Sequence, residues 1–499
     1  MLFTTQIFTF VFFPLCMAVY FLTYFLQEKT TISSFLKKIR FNDLALIGIS
    51  CCFYLWACFD DIFRLAAYII LVYILGLLLQ KTRKKELFFV VQCKEDSADT
   101  KKYYSLALPL FFIAIACLVW ILIHFKYTEF LARVWNSLFK DNLSGKSILA
   151  PLGISFITFS AISYLADIYT GKAEAGNLID CALYLSFFPK VVSGPIVLWR
   201  DFQWQIANRK ISLESVSNGI TRIMIGFAKK LILADTFGAC ISSAGTNVDI
   251  PTAWGMSLLY MLQIYYDFSG YSDIAIGLSN VLGFSFRENF DFPYLSCSIT
   301  EFWRRWHISL GTWFREYIYF PLGGSRKGKK RAIINVAVVF LLTGFWHGAG
   351  WAYMLWGIIN GLCNIIEKLI SEKSWYKKTP KFLKWFATMG VTFFCWELFR
   401  FGSFSSSLTW FKIMLKGADP RWIPYGWQHY FDTRMIVFVV IAIAGATLFG
   451  LPKVQELYQR ITSKTVGYLV SQFIIILLFV VSILFMINST YSPFIYFQY

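Results

Sequence analysis

An all-α polytopic membrane protein is the fold class that this sequence predicts. Hydrophobic residues make up 57% of its 499 residues and charged residues only 15%. Several apolar runs approach the roughly 20 residues that cross a bilayer core of about 30 Å. Basic residues gather in short stretches between those runs, the pattern that orients helices across a membrane.

The elements follow in order. Residues 8–26 form the first apolar run. It is long, has no basic start and shows no small-residue cleavage site, so it reads as a retained span, not a signal peptide. The next basic stretch runs from Lys29 to Arg40 and holds Lys37 and Lys38. Apolar runs at 44–57 and 62–79 follow, with the turn between them marked by Asp60 and Asp61. A second basic loop, residues 81–85, then continues to Lys94, Lys101 and Lys102. Two crossings return the chain to its starting side, so both basic loops are expected in the cytoplasm and the N-terminus outside. Residues 103–124 form another span. Residues 183–197 hold Pro189, Lys190, Gly194 and Pro195, which predicts a broken or re-entrant segment shielded from lipid. Apolar runs 332–346 and 351–366 lie between the basic run 326–331 and a stretch holding Lys368, Lys373, Lys377, Lys378, Lys381 and Lys384. A last clear span covers 467–487. The working count is about twelve crossings, with the C-terminus outside. The polar stretches 125–146 and 402–434 are too aromatic for free disorder and read as interfacial helices. One integral membrane domain over residues 1–499 is expected. There is no convincing internal repeat, which weighs against repeat-built transporters.

The net charge of +18 could suggest a nucleic-acid partner, but basic loops on one membrane face explain it instead. The eleven cysteines contain no CxxC pair and no zinc spacing, so they read as small hydrophobes and no metal site is expected.

Two of the four histidines sit in polar, aromatic runs. One closes Glu301-Phe-Trp-Arg-Arg-Trp-His307, and the other lies in Thr343-Gly-Phe-Trp-His-Gly348. Histidine moves protons near neutral pH, and polar groups at membrane depth are costly. From Ala332 to Trp346 a helix climbs roughly 22 Å at about 1.5 Å per residue, which leaves His347 below the outer surface. Gly344, Gly348 and Gly350 surround it with small residues. His347 could act as a general base on a hydroxyl, or it could be a structural histidine bonded to a neighbouring helix. Trp346, Trp351 and Trp356 suit a tunnel wall and plain helix packing equally. The segment around His307 reads as an amphipathic helix at the cytoplasmic interface, with Trp303, Trp306 and Leu310 on one side. Arg304 and Arg305 could bind lipid headgroups, the phosphates of an anionic donor or the acidic surface of a carrier protein. A third cluster, Tyr265-Tyr-Asp-Phe-Ser-Gly-Tyr-Ser-Asp273, places Asp267 and Ser269 where they must face protein, water or a substrate path.

Taken together, these runs resemble the membrane-bound O-acyltransferases, in the branch of the alginate O-acetyltransferases. The resemblance rests on Tyr266-Asp-Phe-Ser-Gly-Tyr-Ser-Asp-Ile-Ala-Ile-Gly277 and Glu288-Asn-Phe290. It continues through Ser298-Ile-Thr-Glu-Phe-Trp-Arg-Arg-Trp-His-Ile-Ser-Leu310, Tyr319-Phe-Pro-Leu-Gly-Gly324 and Phe345-Trp-His-Gly-Ala349. Leu152-Gly-Ile-Ser-Phe156, Ser163-Tyr-Leu-Ala-Asp167, Ser186-Phe-Phe-Pro189 and the opening Met1-Leu-Phe agree. It covers nearly the whole chain, with the core motifs at about 148–370. It implies a ring-like bundle of tilted helices with re-entrant segments around a central tunnel. It also implies that His347 and His307 are the two catalytic histidines.

On that resemblance, an acetyl or other acyl group passes from a cytoplasmic thioester to a hydroxyl outside. The expected donor is acetyl-CoA or an acyl-carrier thioester, and no cofactor is held tightly. Arg304, Arg305 and Trp306 are candidates for donor binding. Asp267, Ser269, Asn335 and Trp346 are candidates for the tunnel or its supporting polar groups. His347 is the expected base, while His307 is expected to orient the thioester or polarise its carbonyl. No G-x-S-x-G elbow is present, which favours direct transfer. The expected acceptor is an exopolysaccharide or cell-wall polymer. An extracytoplasmic acetyltransferase or esterase-like partner could complete the transfer, and an acyl carrier protein could supply it. Membrane lipids are the remaining expected partners, and the protein is expected in the plasma membrane. Two departures from the family pattern, Asn360-Gly361 for His-Gly and Lys190 for glutamine, bear on the acceptor. The alternatives are a teichoic-acid D-alanyl transferase fed by a carrier protein and, from a different class, a transporter or lipid flippase.

Overall fold

The computed structural model describes residues 3–29, 40–95, 106–141, 143 and 150–488. The expected basic residues Lys37, Lys38, Lys101 and Lys102, and Met1 and Leu2 of the opening motif, lie outside the described residues. Among those described, the regular structure is helical, apart from one isolated antiparallel bridge between Phe290 and Trp306.

Five helical stretches are long and apolar enough to cross a bilayer: Phe8–Gln27, Phe59–Lys85, Ala107–Lys126, Thr433–Gly450 and Thr465–Asn488. Four of them match the apolar runs read at 8–26, 62–79, 103–124 and 467–487, and Thr433–Gly450 is one that the sequence reading did not single out. The expected twelve crossings do not reduce to twelve such helices. The other helices are shorter or carry polar groups. The helix Phe41–Ala57, for example, buries Asn42, Asp43 and Ser50. One correction concerns the basic run 81–85. It is not a loop but part of one helix, Phe59–Glu95.

The centre is the helix Ile250–Val281, buried along almost its whole length. It crosses the helix Leu213–Phe227 at close range. A Cβ on Gly277 would lie 2.6 Å from the Gly219 carbonyl oxygen, and one on Gly270 would lie 2.9 Å from that of Gly226. Small residues at that spacing let two backbones touch, a packing mode that suits helices in lipid. The two carboxylates on the central helix are paired. Asp273 meets Arg222 and Lys229, each at 2.6 Å. Asp267 lies 2.8 Å from Lys230, which also pairs with Asp235.

The segment expected to be broken is broken. Leu178–Ser186 and Phe188–Val191 are short helices, and the chain from Val192 to Leu198 is buried yet not helical. Its backbone groups find side-chain partners. Ile196 N–H donates to Ser309 Oγ at 3.0 Å, and the Val197 carbonyl accepts from the Tyr184 hydroxyl at 2.8 Å. Irregular backbone at membrane depth is tolerated only when satisfied in this way.

Ion pairs gather several basic stretches at one end of the molecule. Lys84 reaches Glu174 at 3.3 Å, Lys172 and Arg200 reach Glu316 at 3.3 and 2.9 Å, and Lys329 reaches Glu372 at 3.5 Å. Asp61 lies near the opposite end of the Phe59–Glu95 helix. There its carboxylate accepts the Leu152 N–H at 3.0 Å. It is buried, so its role is to anchor that loop.

Candidate active site

His347 is the last residue of the helix Lys329–His347. The final carbonyls of a helix have no partner within it. Here a neighbouring helix end supplies them. The Lys126 ammonium donates to the Trp346 carbonyl at 2.7 Å and approaches that of His347 at 3.4 Å, and the Tyr127 hydroxyl bonds the Phe345 carbonyl. Gly344 lets the next helix, Trp351–Ile370, approach: a Cβ there would lie 2.6 Å from the Tyr353 carbonyl oxygen. The imidazole packs edge-on to Trp356 and Phe399, each at 5.0 Å between ring centres.

His307 is held differently. It joins two short helices, Ile299–Arg305 and Ile308–Phe314, and its backbone is left-handed, with φ 48°. Such a conformation costs a non-glycine residue on the order of 1 kcal/mol or more. The stretch at 289–291 enforces it. Asp291 N–H donates to the Arg305 carbonyl and Ile308 N–H to the Asn289 carbonyl, each at 3.0 Å. The expected continuous amphipathic helix at the interface is therefore corrected. The chain turns at His307, and Trp306, His307, Leu310 and Trp313 are all buried.

The ring state of His307 follows from its neighbours. Asn289 Oδ1 accepts from Ser309 N–H at 3.2 Å and from the Ser309 hydroxyl at 2.9 Å, while its Nδ2 donates to Ser272 Oγ at 3.1 Å. The backbone N–H can only donate, so the atom facing it is the amide oxygen. That oxygen is 3.0 Å from His307 Nδ1, which must be the protonated nitrogen. His307 Nε2 is then an acceptor, and it is buried without a hydrogen-bond partner.

Both histidines line one cavity of about 880 Å³. Val336, Val339, Phe340, Thr343 and His347 present one face of their helix to it, at the spacing that places residues on a single stripe. Asn364, Lys368 and Ser371 continue the wall to the end of the molecule where Lys329 and Glu372 pair. Arg304 and Arg315 add two guanidinium groups.

The other expected site residues divide. Trp306 and Arg304 line the cavity. Arg305 does not. It is engaged by Glu301 at 3.0 Å and Asp291 at 3.5 Å, since adjacent residues on a helix point in different directions. Trp346 stands behind the lining, 4.7 Å from His347 and 6.4 Å from His307 between ring centres. Asp267 is absent from the cavity and pairs with Lys230. Its neighbour Phe268 packs edge-on to His307 at 4.7 Å, behind the lining. Ser269 is buried in the same helix and also lies outside the lining. Asn335 donates to the Gly324 carbonyl at 3.0 Å, so it braces the glycine turn before its helix. Sequence reasoning placed Asn289 in a motif but not in the site, counted Arg315 among the charges around His307, and missed Lys126 and Tyr127. The Lys-Tyr pair ending an apolar run was the available signal.

Both departures from the family pattern make defined contacts. Asn360 accepts from the Trp303 indole at 3.2 Å. Lys190 is buried, donating to Ser160 Oγ at 3.0 Å with its ammonium 3.7 Å from the Tyr184 ring centre.

Comparison with known proteins fits this arrangement. The pattern of the membrane-bound O-acyltransferase family matches residues 1–409. The chain belongs to the membrane-bound O-acyltransferase family. A protein named probable alginate O-acetylase from Azotobacter vinelandii is 32% identical over the whole of both chains. A peptidoglycan O-acetyltransferase from Helicobacter pylori is 31% identical over 83% of this chain and 80% of its own. A teichoic acid D-alanyltransferase from Streptococcus thermophilus is 32% identical over 47% of this chain and 59% of its own. This O-acyltransferase is thus an integral membrane enzyme, and the transporter and flippase readings lose their basis.

Proposed function

We propose that this O-acyltransferase moves an acetyl group from a thioester at its basic face to a hydroxyl of a polysaccharide at the opposite face. The carrying observation is that His307 and His347 line one cavity that extends to the basic end. In the proposed step, His347 takes the proton of the acceptor hydroxyl. The hydroxyl oxygen forms a bond to the thioester carbonyl carbon, the C–S bond breaks, and the departing sulfur takes up the proton that His347 removed, leaving as a thiol. His307 Nε2 accepts a hydrogen bond from the donor and orients it. In this tautomer it has no proton with which to polarise a carbonyl. Arg304 and Arg315 suit the anionic groups of a donor such as acetyl-CoA. The full-length match to the alginate-type relative supports a polysaccharide acceptor, and the half-length match to the D-alanyl transferase supports that substrate less.

Reconstitution tests the reading. The protein in sealed vesicles receives radiolabelled acetyl-CoA at one face and alginate or peptidoglycan fragments at the other. Labelled ester on the polymer, or on an added esterase-like partner, supports the proposal. Transfer only from a D-alanyl carrier protein would replace it with alanylation.

A further inference from the structure

A second cavity, of about 290 Å³, lies apart from the two histidines, lined from the helices Phe59–Glu95 and Ala107–Lys126 and the start of Ile154–Thr170. Its chemistry is graded along its length. Leu71, Ile121 and Ile157 make an apolar floor, while Tyr54, Asp61 and Arg64 gather at one end. Arg64 and Leu71 are seven residues apart on one helix, or about 10 Å along its axis. The first two helices contain stretches of bilayer-crossing length and composition, and Ala67 on the cavity wall is exposed. The cavity therefore opens sideways, toward lipid.

Two polar groups in it have capacity to spare. Tyr54 is 1% exposed, and its hydroxyl has no hydrogen-bond partner. A buried donor left unpaired is costly, so such a group marks a place where a partner belongs. Arg64 gives one N–H to Asp61 at 3.2 Å, and its side chain is 44% exposed. The remaining guanidinium donors suit a phosphate.

We infer that this cavity binds a phospholipid from the leaflet at the His347 end of the protein. One acyl chain lies between Leu71, Ile121 and Ile157. An ester carbonyl accepts from the Tyr54 hydroxyl, and the phosphate meets Arg64. The phosphate and ester meet the polar end formed by Arg64 and Tyr54, and the alkyl chain meets Leu71. Inorganic phosphate would leave the apolar floor unused, while a fatty-acid carboxylate can accept from both Tyr54 and Arg64 and is therefore the competitor the test includes. The cavity also borders the support of the active site. Phe125 lines it beside Lys126, and Leu152, whose N–H meets Asp61, lines it too.

Native mass spectrometry of the full-length protein, titrated with phosphatidylglycerol in detergent, tests the site. The wild type should retain one lipid above the non-specific background. Tyr54→Phe should weaken that binding about two- to tenfold, as loss of one hydrogen bond does, and Arg64→Gln should weaken it further. Ala67→Trp, which fills the opening, should abolish it while the protein still elutes as a folded species. If Ala67→Trp does not fold, the two smaller changes decide. Unchanged affinity in both Tyr54→Phe and Arg64→Gln would overturn the inference. So would equal retention in Ala67→Trp, or a preference for palmitate or inorganic phosphate over phospholipid.

Discussion

Asn289 Oδ1 lies 3.0 Å from His307 Nδ1 and also accepts both donors of Ser309. One amide thus sets the tautomer of the histidine and ties the turn that carries it. Asn289→Ala should lower transfer on the order of 10²-fold by misplacing the ring. Asn289→Asp keeps an acceptor and should recover part of that loss. Comparing the rates of the two variants at equal folded yield checks the assignment, and equal impairment in both would refute it.

His347→Ala should cost roughly 10²- to 10⁴-fold in rate, the usual contribution of a general base. The donor KM should change little, because the lost contact is to the moving proton. Well-inserted His347→Ala protein with normal turnover would return His347 to a structural role.

Arg304 and Arg305 should separate. Arg304 lines the cavity, whereas Arg305 is held by Glu301 and Asp291. Arg304→Ala should raise the donor KM with little change in melting temperature. Arg305→Ala should leave the donor KM near normal. Steady-state kinetics at varied donor concentration, together with thermal unfolding of both variants, measures the contrast.

Glu316 links acidity to stability at the basic face. Partial burial pushes its carboxyl up, but the hydrogen bond and charge of Arg200 and the nearby Lys172 outweigh this and hold it below its ordinary value of 4.5. A carboxyl lowered by folding adds stability that is full above its unfolded value and fades as pH falls through its folded one. Thermal stability in detergent should therefore drop as pH falls below about 4.5, and Glu316→Gln should flatten that part of the profile. An identical slope in the variant would exclude the link.

Topology follows from the distribution of basic residues. Lys84 and Ser325 should lie on one membrane face and Asp60 on the other. Single cysteines placed at these positions in a cysteine-free background, labelled in intact cells, report the side. Labelling of Asp60→Cys from the same side as Ser325→Cys would break the map.

The sequence by itself determined the membrane class, the main apolar spans, the broken segment near Pro189 and the two histidines. Each of these is written locally, in hydropathy, charge and rare residue types. It also carried the family, because the motif runs are long and contiguous. The tertiary structure alone decided which residues reach the cavity. Asp267 and Phe268 are neighbours, yet helix geometry sends one to Lys230 and the other to His307. Arg304 and Arg305 part in the same way. The turn at His307 depends on pairing with residues 289–291, the seat of His347 on Lys126, some 220 positions away in the chain. No local pattern encodes contacts of that range, since they arise only when separate helices pack and their unpaired backbone groups find partners.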